Sequence, residues 1–376
     1  MSDVAVLHAT QPTHGGVARY VAAAAADQLS RGWRVVVACP AGGRLATELR
    51  AAGVAWLHWP ATRSPGPATV GQVRRLRHLI KQVRPDVVHL HSAKAGLAGR
   101  LAVRGSLPTI FQPHGWSWLA ARGATARAAL AWERHATRWI TVLVCVGEGE
   151  AAQARRWRVN IPPVTIRNGL DLEWFTPPGT AERAAARSRL GLDQAVPLAV
   201  CLGRITRQKG QDVLLAAWPQ VRQGCPTAQL CLVGGGDGAV KLRRRPPPGV
   251  RFVPPVTDPR PWYAAADVVV LPSRWEGLSL TLLEALASGC CVVIADIAGL
   301  AEAVPTGAGG RFRVADPDAL ASVLLPRLTN PQLRLAEGHR AARAARAFDV
   351  RRTHEHLAQV TAQLAGAPAA PRRPAP

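Results

Sequence analysis

Two α/β domains of similar size, each a parallel sheet wound on both faces, are what this sequence predicts, and three observations predict them. Short apolar or β-branched runs alternate with helical patterns rich in Ala, Leu and Arg, an order that gives parallel strands joined by crossover helices. The alternation pauses at Thr176-Pro177-Pro178-Gly179-Thr180 and starts afresh at Leu198. A chain of 376 residues is long enough to fill two cores of ordinary size.

Composition narrows the class. Hydrophobic residues make up 48% of the chain and the mean hydropathy is near zero, as in globular proteins. No apolar run reaches the roughly 18 residues that a membrane span requires, and residues 1–7 lead straight into a strand rather than a leader, so a cytoplasmic protein is expected. The seven cysteines, Cys39, Cys145, Cys201, Cys225, Cys231, Cys290 and Cys291, lie mostly in apolar strands without a C-x-x-C pair, which predicts buried free thiols. The formal charge is +23, and all but four of the 47 basic residues are arginine. The excess is spread over both halves and favours anionic partners: nucleotide diphosphates, acidic lipid surfaces or nucleic acid.

In the first half, strands are predicted at 4–7, 35–39, 54–58, 87–90, 109–112, 142–146 and 164–166. The first leads to His14-Gly15-Gly16 at a helix start, where paired glycines let the backbone approach a phosphate or a sugar, or simply make a tight turn. Residues 70–83 place Val73, Leu76, Leu79, Ile80 and Val83 on one helical stripe, with Arg74, Arg75, Arg77, His78 and Lys81 elsewhere. Such a helix packs on the sheet and exposes a solvated basic side, or rests that side on anionic lipid. Residues 128–140, with Trp132, Trp139, Arg134 and Arg138, invite the same two readings. His89 and His91 suggest a metal, but no nearby carboxylate or cysteine supports one. After the fifth strand comes His114-Gly115-Trp116-Ser117-Trp118, whose indoles either stack on an acceptor sugar or fill the loop. Glu148 follows the sixth strand, and Asn168-Gly169-Leu170-Asp171 the seventh.

The second half restarts with apolar runs at 198–202, 229–233, 250–256, 268–271 and 291–294, all but 250–256 read as strands. Gly203-Arg204 and Lys209-Gly210 follow the first of these. A guanidinium and an ammonium together at a strand end can bracket a diphosphate and stabilise the charge it gains as a leaving group. The fourth run leads into Glu276-Gly277-Leu278-Ser279-Leu280 and a helix carrying Glu284. Two carboxylates at the carboxyl end of a parallel strand accept hydrogen bonds from hydroxyls, while the helix start faces an anion; a nucleotide sugar offers both. A salt-bridged or capping role is the plainer account of one such pair. Asp316-Pro317-Asp318 is read as a helix N-cap rather than a metal motif. A helical region at 336–364 ends the fold, and the Pro-, Ala- and Arg-rich 366–376 is expected to be disordered.

In order, the segments GG (15–16), HGW (114–116), NGLD (168–171), GR-x4-KG (203–210) and EG-x6-E (276–284) resemble those of the retaining glycosyltransferases of family 4, over about 360 residues. The resemblance implies the GT-B fold: two doubly wound Rossmann-like domains facing one another across a cleft, with a C-terminal helix crossing back to the first. On that pattern the domains are 1–178, which binds the acceptor, and 179–345, which binds the nucleotide sugar, with the crossing helix at 346–365. The implied roles are Arg204 and Lys209 on the diphosphate, Glu276 on the sugar hydroxyls, and Glu284 on the ribose. Gly277, Leu278, Ser279 and Leu280 would contact phosphates and sugar through the backbone, Gly15 and Gly16 would reach the donor phosphate, and His114 would line the sugar pocket. Pro254 departs from the pattern, standing where the family has a glycine that helps to cup the base.

The expected reaction moves a hexose-type sugar from a nucleotide diphosphate, UDP in the first instance, with retention and with neither metal nor other cofactor. No general base stands out, which agrees with a departing phosphate that takes the acceptor proton. The acceptor is expected to be lipid-linked or a glycan, met at the inner face of the cytoplasmic membrane; a soluble natural-product acceptor is the alternative. A sugar-nucleotide 2-epimerase of the same architecture is a different class, separated by incubating donor alone and looking for an epimer. A nucleic-acid partner has only the charge in its favour.

Overall fold

The computed structural model describes residues 4–366, so the tail at 366–376 expected to be disordered lies, apart from Gly366, outside the described residues. The chain divides into two compact units. One comprises the residues up to Asn168 together with those from Arg351 onward; the other is Gly169–Val350.

The first unit is built on seven strands: β1 (Ala5–Thr10), β2 (Arg34–Cys39), β3 (Ala55–His58), β4 (Val87–His91), β5 (Thr109–Gln112), β6 (Val142–Cys145) and β7 (Pro163–Thr165). They are parallel and ordered β3-β2-β1-β4-β5-β6-β7. Side chains alternate between the faces of a strand: Val36 and Ala38 enter one core, while Val35, Val37 and Cys39 enter another. Both faces are therefore buried, which is why the runs read as continuously apolar. The helix Val350–Ala365 contributes Leu357 and Leu364 to the second of these cores. Its Thr353 hydroxyl donates to the Arg167 carbonyl at 2.8 Å, and Glu355 pairs with Arg31 at 2.9 Å.

The second unit has six parallel strands: β8 (Leu198–Leu202), β9 (Gln229–Val233), β10 (Val250–Val253), β11 (Val268–Leu271), β12 (Cys291–Ala295) and β13 (Gly310–Phe312), ordered β10-β9-β8-β11-β12-β13. Three local readings need correction. The run at 250–256, not read as a strand, forms β10 but only as far as Val253, because Pro254 and Pro255 have no N–H to donate to the ladder. The edge strand β13 was not foreseen, being a Gly-Arg-Phe triplet paired only with β12. The last helical region is not continuous: helices Pro331–Ala345 and Val350–Ala365 are separated by a 3-10 turn at Arg346–Phe348. At that break Leu170 donates to the Phe348 carbonyl and accepts from Val350 N–H, so the segment after Asn168 belongs to the second unit.

All seven cysteines are buried and free. Asp316 caps the helix Pro317–Thr329 by accepting from Ala319 N–H at 3.1 Å. No helix among the described residues is long and apolar enough to cross a membrane.

Candidate functional site

In the second unit the strand order turns between β8 and β11: β9 and β10 lie to one side of this pair and β12 and β13 to the other. Open α/β sheets bind ligands at the carboxyl ends of the strands flanking such a point. The two loops that leave β8 and β11 there carry the predicted cations and the predicted first carboxylate. Lys209 Nζ lies 2.7 Å from Glu276 Oε1. Ser273 Oγ donates to the same oxygen at 2.9 Å, and Gln208 reaches the other at 3.4 Å. Arg204, on the same loop as Lys209, is exposed.

The loops are zipped together by side-chain and backbone bonds. Gln208 donates to the Trp275 carbonyl at 3.1 Å and accepts from Arg274 N–H at 2.7 Å, and the Arg274 guanidinium grips Asp212 with bonds of 2.8 and 2.7 Å. Gly210 makes the approach possible. Its φ is +70°, and a Cβ there would overlap the Pro272 carbonyl oxygen. Any side chain would push the cationic loop away from the acidic one.

Gly277, Leu278 and Ser279 are buried as the chain enters the helix Leu280–Ala287. Ser279 occupies the N-cap position but its hydroxyl caps nothing, and that buried hydroxyl has no partner among the described residues. A helix start without a side-chain cap keeps donors available to an anion. Glu284 is buried within that helix, one oxygen accepting from the Tyr263 hydroxyl at 2.7 Å. Ser273, Gln208 and Tyr263 were not foreseen as parts of this site; each lies in an otherwise ordinary loop or helix, and only the fold brings it to a carboxylate.

In the first unit the strand order turns between β1 and β4. Gly15 and Gly16 are exposed at the start of the helix Gly15–Ser30, Gly15 with φ +78° and open space where a Cβ would stand. His114 and Gly115 both have positive φ, 54° and 109°. This turn is held by a residue that was not predicted, Glu150, in the first turn of the helix Glu148–Arg156. Its carboxylate accepts from Gly115 N–H and Val146 N–H, and its carbonyl accepts from the Trp116 indole. Trp116 and Trp118 are buried and stacked 4.4 Å apart, so of their two readings the structure supports loop filling.

His114 does not stand alone. Its Nε2 lies 3.0 Å from His91 Nδ1, His91 Nε2 lies 2.9 Å from His8 Nδ1, and His8 Nε2 lies 2.7 Å from Gln28 Oε1. His89 bonds separately to Gln112 Oε1 at 3.0 Å. His8, His89 and His91 form a group of the kind that can hold a metal, their ligand atoms lying within 4.8 Å of one another. Those of His8 and His91 are already engaged with each other, and among the described residues no carboxylate joins them. Burial pushes His8 down to about 4 and His114 to about 3, and holds His89 and His91 well below the ordinary histidine value.

These groups are therefore neutral at neutral pH. Below about 6.5, the ordinary value, the unfolded chain binds protons that the folded one refuses, so stability falls as pH drops toward 4, by about 1.4 kcal/mol per unit for each histidine. Urea denaturation of the native chain and of His8→Asn between pH 7.5 and 4.5 checks this: the native slope should be the steeper.

The model of Glycosyltransferase Family 4 matches residues 14–174, and that of Glycosyl transferases group 1 matches residues 196–330. A D-inositol 3-phosphate glycosyltransferase from Jonesia denitrificans is 33% identical over 299 residues, 73% of this chain and 69% of the relative. The chain belongs to glycosyltransferase family 4. A GDP-mannose-dependent monoacylated alpha-(1-6)-phosphatidylinositol monomannoside mannosyltransferase from Corynebacterium glutamicum is 34% identical over 185 residues, 46% of this family 4 glycosyltransferase; the match spans 49% of that relative's length. Among solved structures, the sucrose-phosphate synthase of Thermosynechococcus elongatus superposes with a TM-score of 0.81 at 22% identity, covering 96% of this chain and 98% of that one. Anabaena HepE in complex with UDP and glucose gives 0.80 at 20%, covering 96% and 99%. At these identities the likeness speaks for the fold, and the two parallel-sheet Rossmann-like units of this glycosyltransferase are of GT-B type.

Proposed function

We propose that this chain transfers a hexose-type sugar from a nucleoside diphosphate, with retention of configuration, to a lipid-linked or glycan acceptor in glycolipid or polysaccharide assembly. The observation that carries the reading is the Lys209–Glu276 pair at the turning point of the second sheet. A cation suited to a pyrophosphate and a carboxylate suited to sugar hydroxyls hold each other in place there, beside a helix start without a side-chain cap. Arg204 adds a second cation to the diphosphate, Glu284 takes the ribose hydroxyls, and the backbone from Gly277 to Leu280 takes phosphate and sugar oxygens. His114 meets the sugar, and Gly15 and Gly16 the donor phosphate. With arginine and lysine supplying the positive charge, the reaction requires no metal and no other cofactor.

For the acceptor, support comes from two sides. Arg74, Arg75, Arg77, His78 and Lys81 are exposed on the helix Ala68–Val83, whose Leu76, Leu79, Ile80 and Val83 are buried, an arrangement suited to anionic headgroups. Relatives include lipopolysaccharide core mannosyltransferases of Rhizobium leguminosarum and Rhizobium meliloti.

A panel of UDP, GDP and dTDP sugars, screened by thermal shift, tests the donor. The matching sugar nucleotide at 100 times its Kd should stabilise the fold by about 2.7 kcal/mol. If no member of the panel raises the melting temperature, the donor assignment is lost. Donor alone should yield no epimer; an epimer would make the enzyme an epimerase.

A further inference from the structure

The run of ring-to-ring hydrogen bonds in the first unit fixes more than the position of His114. An imidazole with one proton donates from one nitrogen and accepts at the other, so in a linked series the direction of the first bond sets all the rest. Gln28 is buried and turns its amide oxygen to His8. An oxygen accepts only, so the His8 proton sits on Nε2 and His8 Nδ1 is an acceptor. His91 Nε2 faces that acceptor and must carry a proton, which leaves His91 Nδ1 as an acceptor in turn. His114 Nε2 faces this nitrogen and must be the donor.

We infer that Gln28, His8 and His91 act as positioning residues that lock the proton of His114 on Nε2, so that its Nδ1 offers a lone pair to a substrate hydroxyl. This rests on the reading above only in placing His114 at the sugar; the protonation pattern itself follows from the relay. Toward the substrate, His114 then accepts a hydrogen bond and does not donate one. A hydroxyl can satisfy it, whereas a substrate that presents only an acceptor oxygen, such as an ether or a carbonyl, leaves two lone pairs opposed. The device is local, since Gln28 ends the series with an amide that can neither gain nor lose a proton at neutral pH. It orients protons rather than conducting them.

Gln28→Glu reverses the relay. Burial raises the pKa of a carboxyl group, and when the carboxylate beside His8 takes up one proton from solvent, that proton is held either on the carboxyl oxygen or on His8 Nε2. In both cases the His8 Nδ1–H becomes the donor to His91 Nε2, the His91 proton moves to Nδ1, and His114 receives at Nε2 and carries its proton on Nδ1. No oxidant, reductant or other reactant is involved.

Nitrogen NMR of the full chain labelled with 15N-histidine reads the pattern directly, with His114 assigned by loss of its signals in His114→Phe. In the native protein, His114 Nε2 should resonate as a protonated, pyrrole-like nitrogen and Nδ1 as an unprotonated, pyridine-like one. In Gln28→Glu the two types should exchange. A native His114 protonated on Nδ1, or rapidly averaging between the two forms, overturns the proposal without any variant being folded. As a second readout, kcat/KM of Gln28→Glu for the donor found by the panel should fall at least about tenfold. A normal native tautomer with unaltered kinetics in the reversed variant would leave the relay standing and remove His114 from the sugar.

Discussion

Lys209→Ala is expected to lower kcat about 10²- to 10³-fold, the range seen when one preorganised charge-stabilising group is removed from an active site. In the proposed reaction the sugar–phosphate bond breaks with negative charge accumulating on the diphosphate, so a fixed ammonium there favours the transition state more than the bound donor. The loss should therefore fall on kcat and kcat/KM together, with a smaller change in KM. Lys209 is well placed for this, because its partner Glu276 is itself held by Ser273 at 2.9 Å and the ammonium is aimed before the donor arrives. Lys209→Arg keeps the charge but replaces a compact ammonium with a planar fork, and should recover only part of the rate. Single-turnover kinetics with the donor identified by thermal shift make the measurement, and circular dichroism checks that the variant is folded. A folded Lys209→Ala enzyme with native kcat would remove the diphosphate role and, with it, the meaning given to the cationic loop.

How much of this was legible beforehand depends on the range of the interaction. The strands β1 to β12, β10 aside, follow from local patterns, because parallel strands buried on both faces are apolar throughout and stand out between helices. The β13 triplet has no such signature; its strand character comes from the neighbour β12. The site shows the same division. Lys209, Glu276 and Glu284 lie in short segments whose spacing is visible in the sequence, whereas Ser273, Gln208 and Tyr263 become partners of the two carboxylates only through the meeting of loops. His8 reads as one polar residue within an apolar strand, and Gln28 as the end of a helix. That they join His91 and His114 follows from the pairing of β1 with β4, which sets His8 beside His89 and Thr10 beside His91, and from the helix Gly15–Ser30 returning across the sheet. Glu150 is a further case: its acid is local to β6, but the turn it holds follows β5.

The largest expected loss of stability is at Asp267, and the site supplies the reason that it matters. This carboxylate stands just before β11 and is only 8% exposed. It bonds to Leu198 N–H, the first residue of β8, at 2.8 Å. It also holds Arg187 at 2.7 Å, Arg183 at 2.8 Å and Arg334 at 3.3 Å. Arg187 is itself buried and among the described residues otherwise bonds only to carbonyl groups, those of Asp193, Gln194, Val196 and Ala265. Asp267→Ala would leave that guanidinium in the interior without a counter-charge, a change that typically costs about 3 to 5 kcal/mol. Arg183, one-third exposed, can turn to water, so Arg183→Ala should cost about 1 kcal/mol or less. Urea denaturation should show the transition of the second unit moved to lower concentration in Asp267→Ala and that of the first unit unmoved. The pair β8 and β11 is thus tied at its amino end by Asp267 and at its carboxyl end by Lys209 with Glu276. The two ties are expected to fail differently: without Asp267 the folded fraction falls while the donor affinity of the remaining folded protein is kept, and without Lys209 the fold remains and turnover is lost. A folded Asp267→Ala protein with native stability would mean that the three arginines find compensation elsewhere, and the amino-end tie would then have no part in holding the strands that present the site.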